Sequence, residues 1–251
     1  LHEQHDDNPS ANDLPDLVYL LDVNHYQGKI DGSEALAAGN VGCIVKATEG
    51  QDWQQPALVE QANAAASAGM LLGFYHYATL GVGGADDAER EADDFLAAIA
   101  DLPPADLPLW LDLEEIKGEI SKADAKAWVT TWLDIVDEAH PGGAGLYTSA
   151  RKVRDIIGDV SGLENYAYWL PRYGSNDGTL EGSSLPDLPA GVDGWQIWQY
   201  TSKHDDPGVE KHTDRNVARV DWLTSLPGIT AGKLAALIGD TSQPNFADLP
   251  R

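Results

Sequence analysis

Cysteine is almost absent from this chain: Cys43 stands alone among 251 residues, so no disulfide can form within it. It sits in the apolar run GCIV at 42–45, where a thiol serves as a small core residue rather than a nucleophile. Bases are scarce too. Sixteen Lys and Arg face 41 acids, a formal charge of −25. That excludes nucleic acid and anionic membranes as main partners, because both demand a basic surface. No apolar run approaches the roughly 18 residues that span a bilayer, so no membrane insertion is expected. Several chemical signatures are also missing: there is no HExxH, no Cys or His pair at metal-ligand spacing, no Walker loop and no GxSxG elbow. No metal or other cofactor is expected. The GVGG run at 81–84 lacks the Lys and hydroxyl residue of a phosphate loop and reads as a rim loop.

What the chain does have is acid and polar-edged aromatics. Eight Trp and nine Tyr outnumber three Phe, a bias that suits surfaces half apolar and half wet, such as saccharide clefts. Asp supplies 28 of the acids and Glu 13, and the resulting self-repulsion is of the kind that salt screens. A high-salt or high-GC source would be consistent with it. The length suits one large domain. The chain begins at Leu1, as a processed or trimmed product would.

Residues 1–16 read as a flexible polar leader. Strands are expected at 17–23, 41–47, 71–78, 107–115, 144–148, 166–171 and 195–200, with a short eighth around Val217. Helices fall between them, at 32–39, 56–69, 85–101, 121–140 and 150–158. Ser121 and Asp124 form a near capping box for the fourth of these, and Pro141–Gly142–Gly143 ends it. Strands alternating with helices imply parallel pairing and an α/β fold. Eight strands within 17–222 fit a closed, irregular TIM-like (β/α) barrel better than an open sheet. Some of its helices are missing, since 173–194 is too rich in Gly and Pro to hold one. Residues 223–251 read as a C-terminal tail or linker with a short helix over 230–238.

The acids then fall into a pattern. LPLWLDLEE at 107–115 is a buried strand ending in carboxylates, and period-two alternation turns Asp112 and Glu114 to one face, with Glu115 on the other. Asp22 ends the first strand, Glu49 follows the second, and Asp214 lies just before the last. Tyr75 and Tyr77, Tyr147, and Trp198, Gln199 and Tyr200 end the third, fifth and seventh. In parallel barrels the C-terminal strand ends form one rim, where catalytic groups collect. Paired carboxyls beside aromatic platforms point to glycoside hydrolysis, which needs one protonated acid and one ionised partner; crowding supplies that asymmetry by raising one pKa.

Seven motifs occur in order: DVNHYQGKID (22–31), IVKATEG (44–50), AAASAGMLLGFYHYA (64–78), LPLWLDLEE (107–115), GLYTS (145–149), WQIWQYTS (195–202) and DRN (214–216). Over residues 17–222 the chain resembles glycoside hydrolase family 25, the muramidases. The resemblance implies an irregular β/α barrel, expected as a monomer, that cleaves the β-1,4 bond between N-acetylmuramic acid and N-acetylglucosamine in peptidoglycan glycan strands, outside the cell or at the wall. By position it makes Glu114 the general acid and Asp112 its partner, with Asp22 and Asp214 holding substrate and tuning the pair. It makes Tyr75, Tyr77, Tyr147, Trp198, Gln199, Tyr200 and the rim group Glu49 contacts to sugar, and leaves His76 and Lys46 structural. Arg215, Ala218 and the Pro171–Arg172 pair depart from the family pattern without touching a matched carboxylate. Two readings compete: a catalytically silent glycan-binding barrel, and a chitinase-like hydrolase of acetamido sugars.

Overall fold

The computed structural model describes residues 13–84 and 86–249. Most of the expected leader, residues 1–12, lies outside them. Eight strands close into a barrel: β1 (Leu17–Val23), β2 (Asn40–Glu49), β4 (Leu71–Tyr77), β5 (Leu109–Asp112), β6 (Ala144–Tyr147), β7 (Ala167–Pro171), β8 (Ile197–His204) and β9 (Thr213–Arg219). β3 (Trp53–Gln54) is a short antiparallel addition to the end of β2. The strands pair in the order β1-β9-β8-β7-β6-β5-β4-β2, and a β1–β2 pairing shuts the ring. The helices between them are α1 (Gly32–Ala37), α2 (Leu58–Ser67), α3 (Asp87–Ile99), α4 (Lys122–Ala139) and the short α5 (Ala150–Lys152), which runs on as a π turn. The region between β7 and β8 has no helix.

One expectation is corrected. Pairing is not parallel throughout: β9 runs antiparallel to both β1 and β8. The short connection from β8 to β9 allows this, since a parallel return would need a crossover of a dozen residues or more. The reversal has a consequence for the rim. It brings the beginning of β9, rather than its end, to the C-terminal ends of the other strands, and sets Asp214 directly opposite Asp22 in the β1–β9 register.

Alternation sorts each strand into two layers. Leu21, Val23, Cys43, Val45, Leu72, Phe74, Leu109 and Leu111 point out under the helices. Val18, Leu20, Ile44, Trp110 and Trp169 belong to a second cluster that fills the barrel. Trp110 is fully buried, and its indole fits because position 145 is Gly: a Cβ there would lie 2.4 Å from the ring. On the outside, α4 starts at Ser121, whose Oγ accepts from Asp124 N at 3.2 Å and donates to its carboxylate at 2.7 Å. The helix buries Trp128, Val129, Trp132, Leu133 and Val136 at the three-to-four spacing of one face.

The far end of the chain folds back onto the barrel. After α6 (Val220–Leu223), helix α7 (Ala231–Ile238) puts Leu234 and Ile238 into the same cluster as Val18, Val41, Leu71 and Leu107 at the N-terminal strand ends. Lys233 Nζ meets Asp106 Oδ1 at 2.6 Å. Beyond α7, Tyr19 N donates to Gln243 Oε1 and Leu17 N to Pro244 O. The segment expected as a tail thus carries the plug that closes the barrel floor.

Candidate active site

At the opposite end, β5 runs out into Leu113 and Glu114 without losing its extended form. Leu113 N donates to Tyr147 O at 2.9 Å, Thr148 Oγ1 donates to Leu113 O at 3.1 Å, and the Leu113 side chain is fully buried. With Leu113 anchored outward, Asp112 and Glu114 turn together into a cavity of about 180 Å³. Lys152, at the end of α5, donates from Nζ to the Glu114 carbonyl and so fixes the strand extension from outside. Asp22 and Asp214 line the same cavity, as do Tyr75, Tyr77, Tyr147 and Gln199.

A hydrogen-bonded net sets the orientation of the deepest acid. Asp22 Oδ2 accepts from Asn216 Nδ2 at 2.7 Å and Gln199 Nε2 at 3.2 Å. Asn216 in turn accepts from Trp169 Nε1 at 2.8 Å. Gln199 Oε1 accepts from the hydroxyls of Tyr147 (2.8 Å) and Tyr173 (2.6 Å). On the other side, Asp112 Oδ1 is buried with no hydrogen-bond partner among the described residues. A buried carboxylate oxygen left unpaired costs stability, and it is a group poised for a ligand.

All four acids are pushed toward their protonated forms. Burial raises Asp112 well above the usual carboxylate range, with Glu114 adding to the push and Lys46 opposing it. Burial also raises Asp22, reinforced by the charge of Asp214. Asp214 rises to about 6 through burial and the charge of Glu114. Glu114 is raised by burial and held back by Lys152. Four carboxyls sharing one small cavity titrate as a set, each raising the cost of ionising the next. Lys46 is the cation placed to favour the ionised form of Asp112.

The structure does not bring every expected residue to this cavity. Trp198 and Tyr200 are corrections: they lie on the outer face of β8, 0% and 1% exposed, packed with Leu17 and Val217. Alternation allows either residue 199 or its two neighbours to face inward, and Gln199 takes that place. Trp198 Nε1 donates to Arg172 O instead. Glu49 stands outside the cavity wall and pairs with Lys46 at 2.7 Å. Lys46, read as structural, is corrected the other way: it lines the cavity and lies 4.7 Å from the centre of the Tyr77 ring. Glu115 points outward and accepts from the Tyr77 hydroxyl at 2.8 Å. His76 faces away from the cavity, between Thr48 and Glu91.

Trp169, which ends the sixth expected strand, also lines the cavity, and so does Asn24, which sequence reasoning missed. Asn24 was within reach of the period-two rule as the second residue after Asp22, and Trp169 is the register partner of Tyr147. Arg215, the departure from the family pattern, lies on the outer side of β9, bonded to Asn40 Oδ1 at 3.1 Å and stacked 4.0 Å over the Tyr19 ring.

Crowded carboxyls over a small tyrosine-lined cavity, at the rim of a β/α barrel, define the class as glycoside hydrolase. The model of the family "Glycosyl hydrolases family 25" matches residues 21–209, and the chain belongs to that lysozyme and muramidase family. It is 26% identical over 207 residues to lysozyme M1 of Streptomyces globisporus, covering 79% of this chain and 67% of that protein. Its fold is similar to that of a bacterial lysozyme from Streptomyces coelicolor (TM-score 0.68, 24% identity, 90% of this chain and 98% of that one). It is also similar to the catalytic domain of the endolysin ply40 from bacteriophage P40 of Listeria monocytogenes (TM-score 0.69, 24% identity, 86% and 98%).

Proposed function

We propose that this enzyme hydrolyses the β-1,4 bond between N-acetylmuramic acid and N-acetylglucosamine in peptidoglycan, and so lyses cell walls from a secreted or phage-released position. The observation that carries the reading is the shared face of Asp112 and Glu114 in one cavity with Asp22 and Asp214. Glu114 is the general acid: burial pushes its pKa upward, the direction that favours a protonated carboxyl facing the leaving glycosidic oxygen. Asp112, through its unpartnered Oδ1, receives the substrate's acetamido group. The acetamido oxygen attacks the anomeric carbon as the glycosidic bond breaks, and Asp112 in its ionised form, beside Lys46, stabilises the positive charge that develops on the ring so formed. Water activated by Glu114 then opens that ring, with net retention. Asp22, held by Asn216 and Gln199, and Asp214 bind hydroxyls and bias the protonation of the pair.

Glu114→Gln is expected to lower kcat by about 10²–10⁴-fold in a peptidoglycan turbidity assay, the range a general acid contributes, with an unchanged circular dichroism spectrum. Near wild-type clearing by this variant would remove the assignment. NMR of the first-formed sugar anomer is expected to show β; an α product would exclude this retaining route. Activity on chitin oligomers with none on peptidoglycan would transfer the reading to a chitinase-like hydrolase.

A further inference from the structure

A second, larger cleft of about 830 Å³ opens beside the catalytic cavity. An ion pair links the two, Lys46 lining the catalytic cavity and Glu49 the second cleft. Trp53, from β3, forms one wall. It is 37% exposed, in a protein whose other tryptophans are largely covered, and Lys46 Nζ lies between its ring (5.2 Å) and that of Tyr77 (4.7 Å). Val82, 66% exposed, and Lys117 form the facing wall.

This cleft is built rather than incidental. Its far wall joins two loops by a bridge between Leu80 and Ile116, with Lys117 N and Gly118 N both donating to Leu80 O. The loops approach so closely that a Cβ on Gly118 would lie 1.9 Å from Gly81 O. On its floor, the Gln51 amide is locked from both ends: Nε2 donates to Asp87 Oδ1 at 2.5 Å, and Oε1 accepts from Arg90 Nε at 3.2 Å. The charges also answer one another, Lys46 with Glu49 and Lys117 with Glu115 at 2.5 Å, while buried Asp87 accepts from Gln51 and from Trp128 Nε1. What remains for a ligand is a half-open indole face rimmed by neutralised polar groups. That suits an uncharged pyranose, with its apolar C–H face and equatorial hydroxyls, better than an anionic peptide.

We propose that this cleft is a carbohydrate subsite for the next sugar rings of the strand being cut, with Trp53 as its stacking platform and the Lys46–Glu49 pair as its link to the catalytic cavity. The proposal rests on the glycan-hydrolase reading above. Its test uses peptidoglycan strands stripped of peptides, in a short and a long length class, with the full chain. Trp53→Ala is expected to lower kcat/KM on long strands about tenfold, the equivalent of one aromatic contact, and to leave the shortest cleavable oligomer nearly unchanged. Trp53→Phe should recover most of the loss. Equal losses on both lengths would make Trp53 a mere support of Lys46. No loss on either, or a loss confined to strands that keep their peptides, would equally overturn the proposal, the last by assigning the cleft to the peptide. Calorimetric binding of the same strands to Glu114→Gln, with and without Trp53→Ala, separates the two readings. If the wild-type protein cleaves none of the strands, the function fails, and the subsite still stands or falls on whether Trp53→Ala weakens the Kd for long strands.

Discussion

Asp214 shows how the site stores a cost. Its pKa rises from 3.8 to about 6 because it is buried and faces Glu114. A carboxyl raised in the folded state holds a proton there that the unfolded chain has already released, so stability is lost as pH rises from 3.8 through about 6. The loss attributable to this group is at most about 3 kcal/mol, each pKa step being worth about 1.4. Asp214→Asn is therefore expected to be more stable than wild type in urea at pH 8, by about 1–3 kcal/mol, and to match it at pH 4. A variant less stable than wild type at pH 8 would mean that the Asp214 carboxylate is favourably held. The same crowding that costs stability moves these carboxyls toward the pH range in which acid–base chemistry works.

At the scale of elements, two features decide where the site lies and what it stands on. The first is the antiparallel β9, which carries Asp214 to Asp22. The second is α7, which seals the opposite end of the barrel with Leu234, fully buried. Leu234→Ala should cost about 2–5 kcal/mol by the cavity it leaves, measured by urea denaturation. A cost below about 0.5 kcal/mol, the range of surface substitutions, would show the segment to be an appendage. Sequence pattern gives the helix but reads it as part of a tail or linker, because its apolar face is short and its partners, Val18 and Val41, lie about two hundred residues earlier. By contrast α4 was legible from its cap and spacing, which are local.

For the whole molecule, the charge of −25 is spread over a surface with few bases to answer it. Its self-repulsion acts over the Debye length, which shrinks from about 10 Å at 0.1 M salt to about 3 Å at 1 M. The melting temperature is expected to rise between those salt concentrations; a fall would mean that surface ion pairs outweigh the repulsion. The many exposed acids act on solubility and on the rate of approach to charged partners, and not on the fold.

What the order of residues determined without help is whatever depends on near neighbours. The first seven barrel strands follow from their apolar runs, and the common face of Asp112 and Glu114 follows from alternation. Buried Cys43 follows from the run around it. Tertiary structure alone decided which face of each strand looked inward. It turned Gln199 to the cavity and Trp198 and Tyr200 away from it, and made Lys46 part of the cavity wall. It also reversed β9 and folded α7 under the barrel. Alternation is a property of every strand, but its phase is set only when the ring closes and one face has to fill the interior.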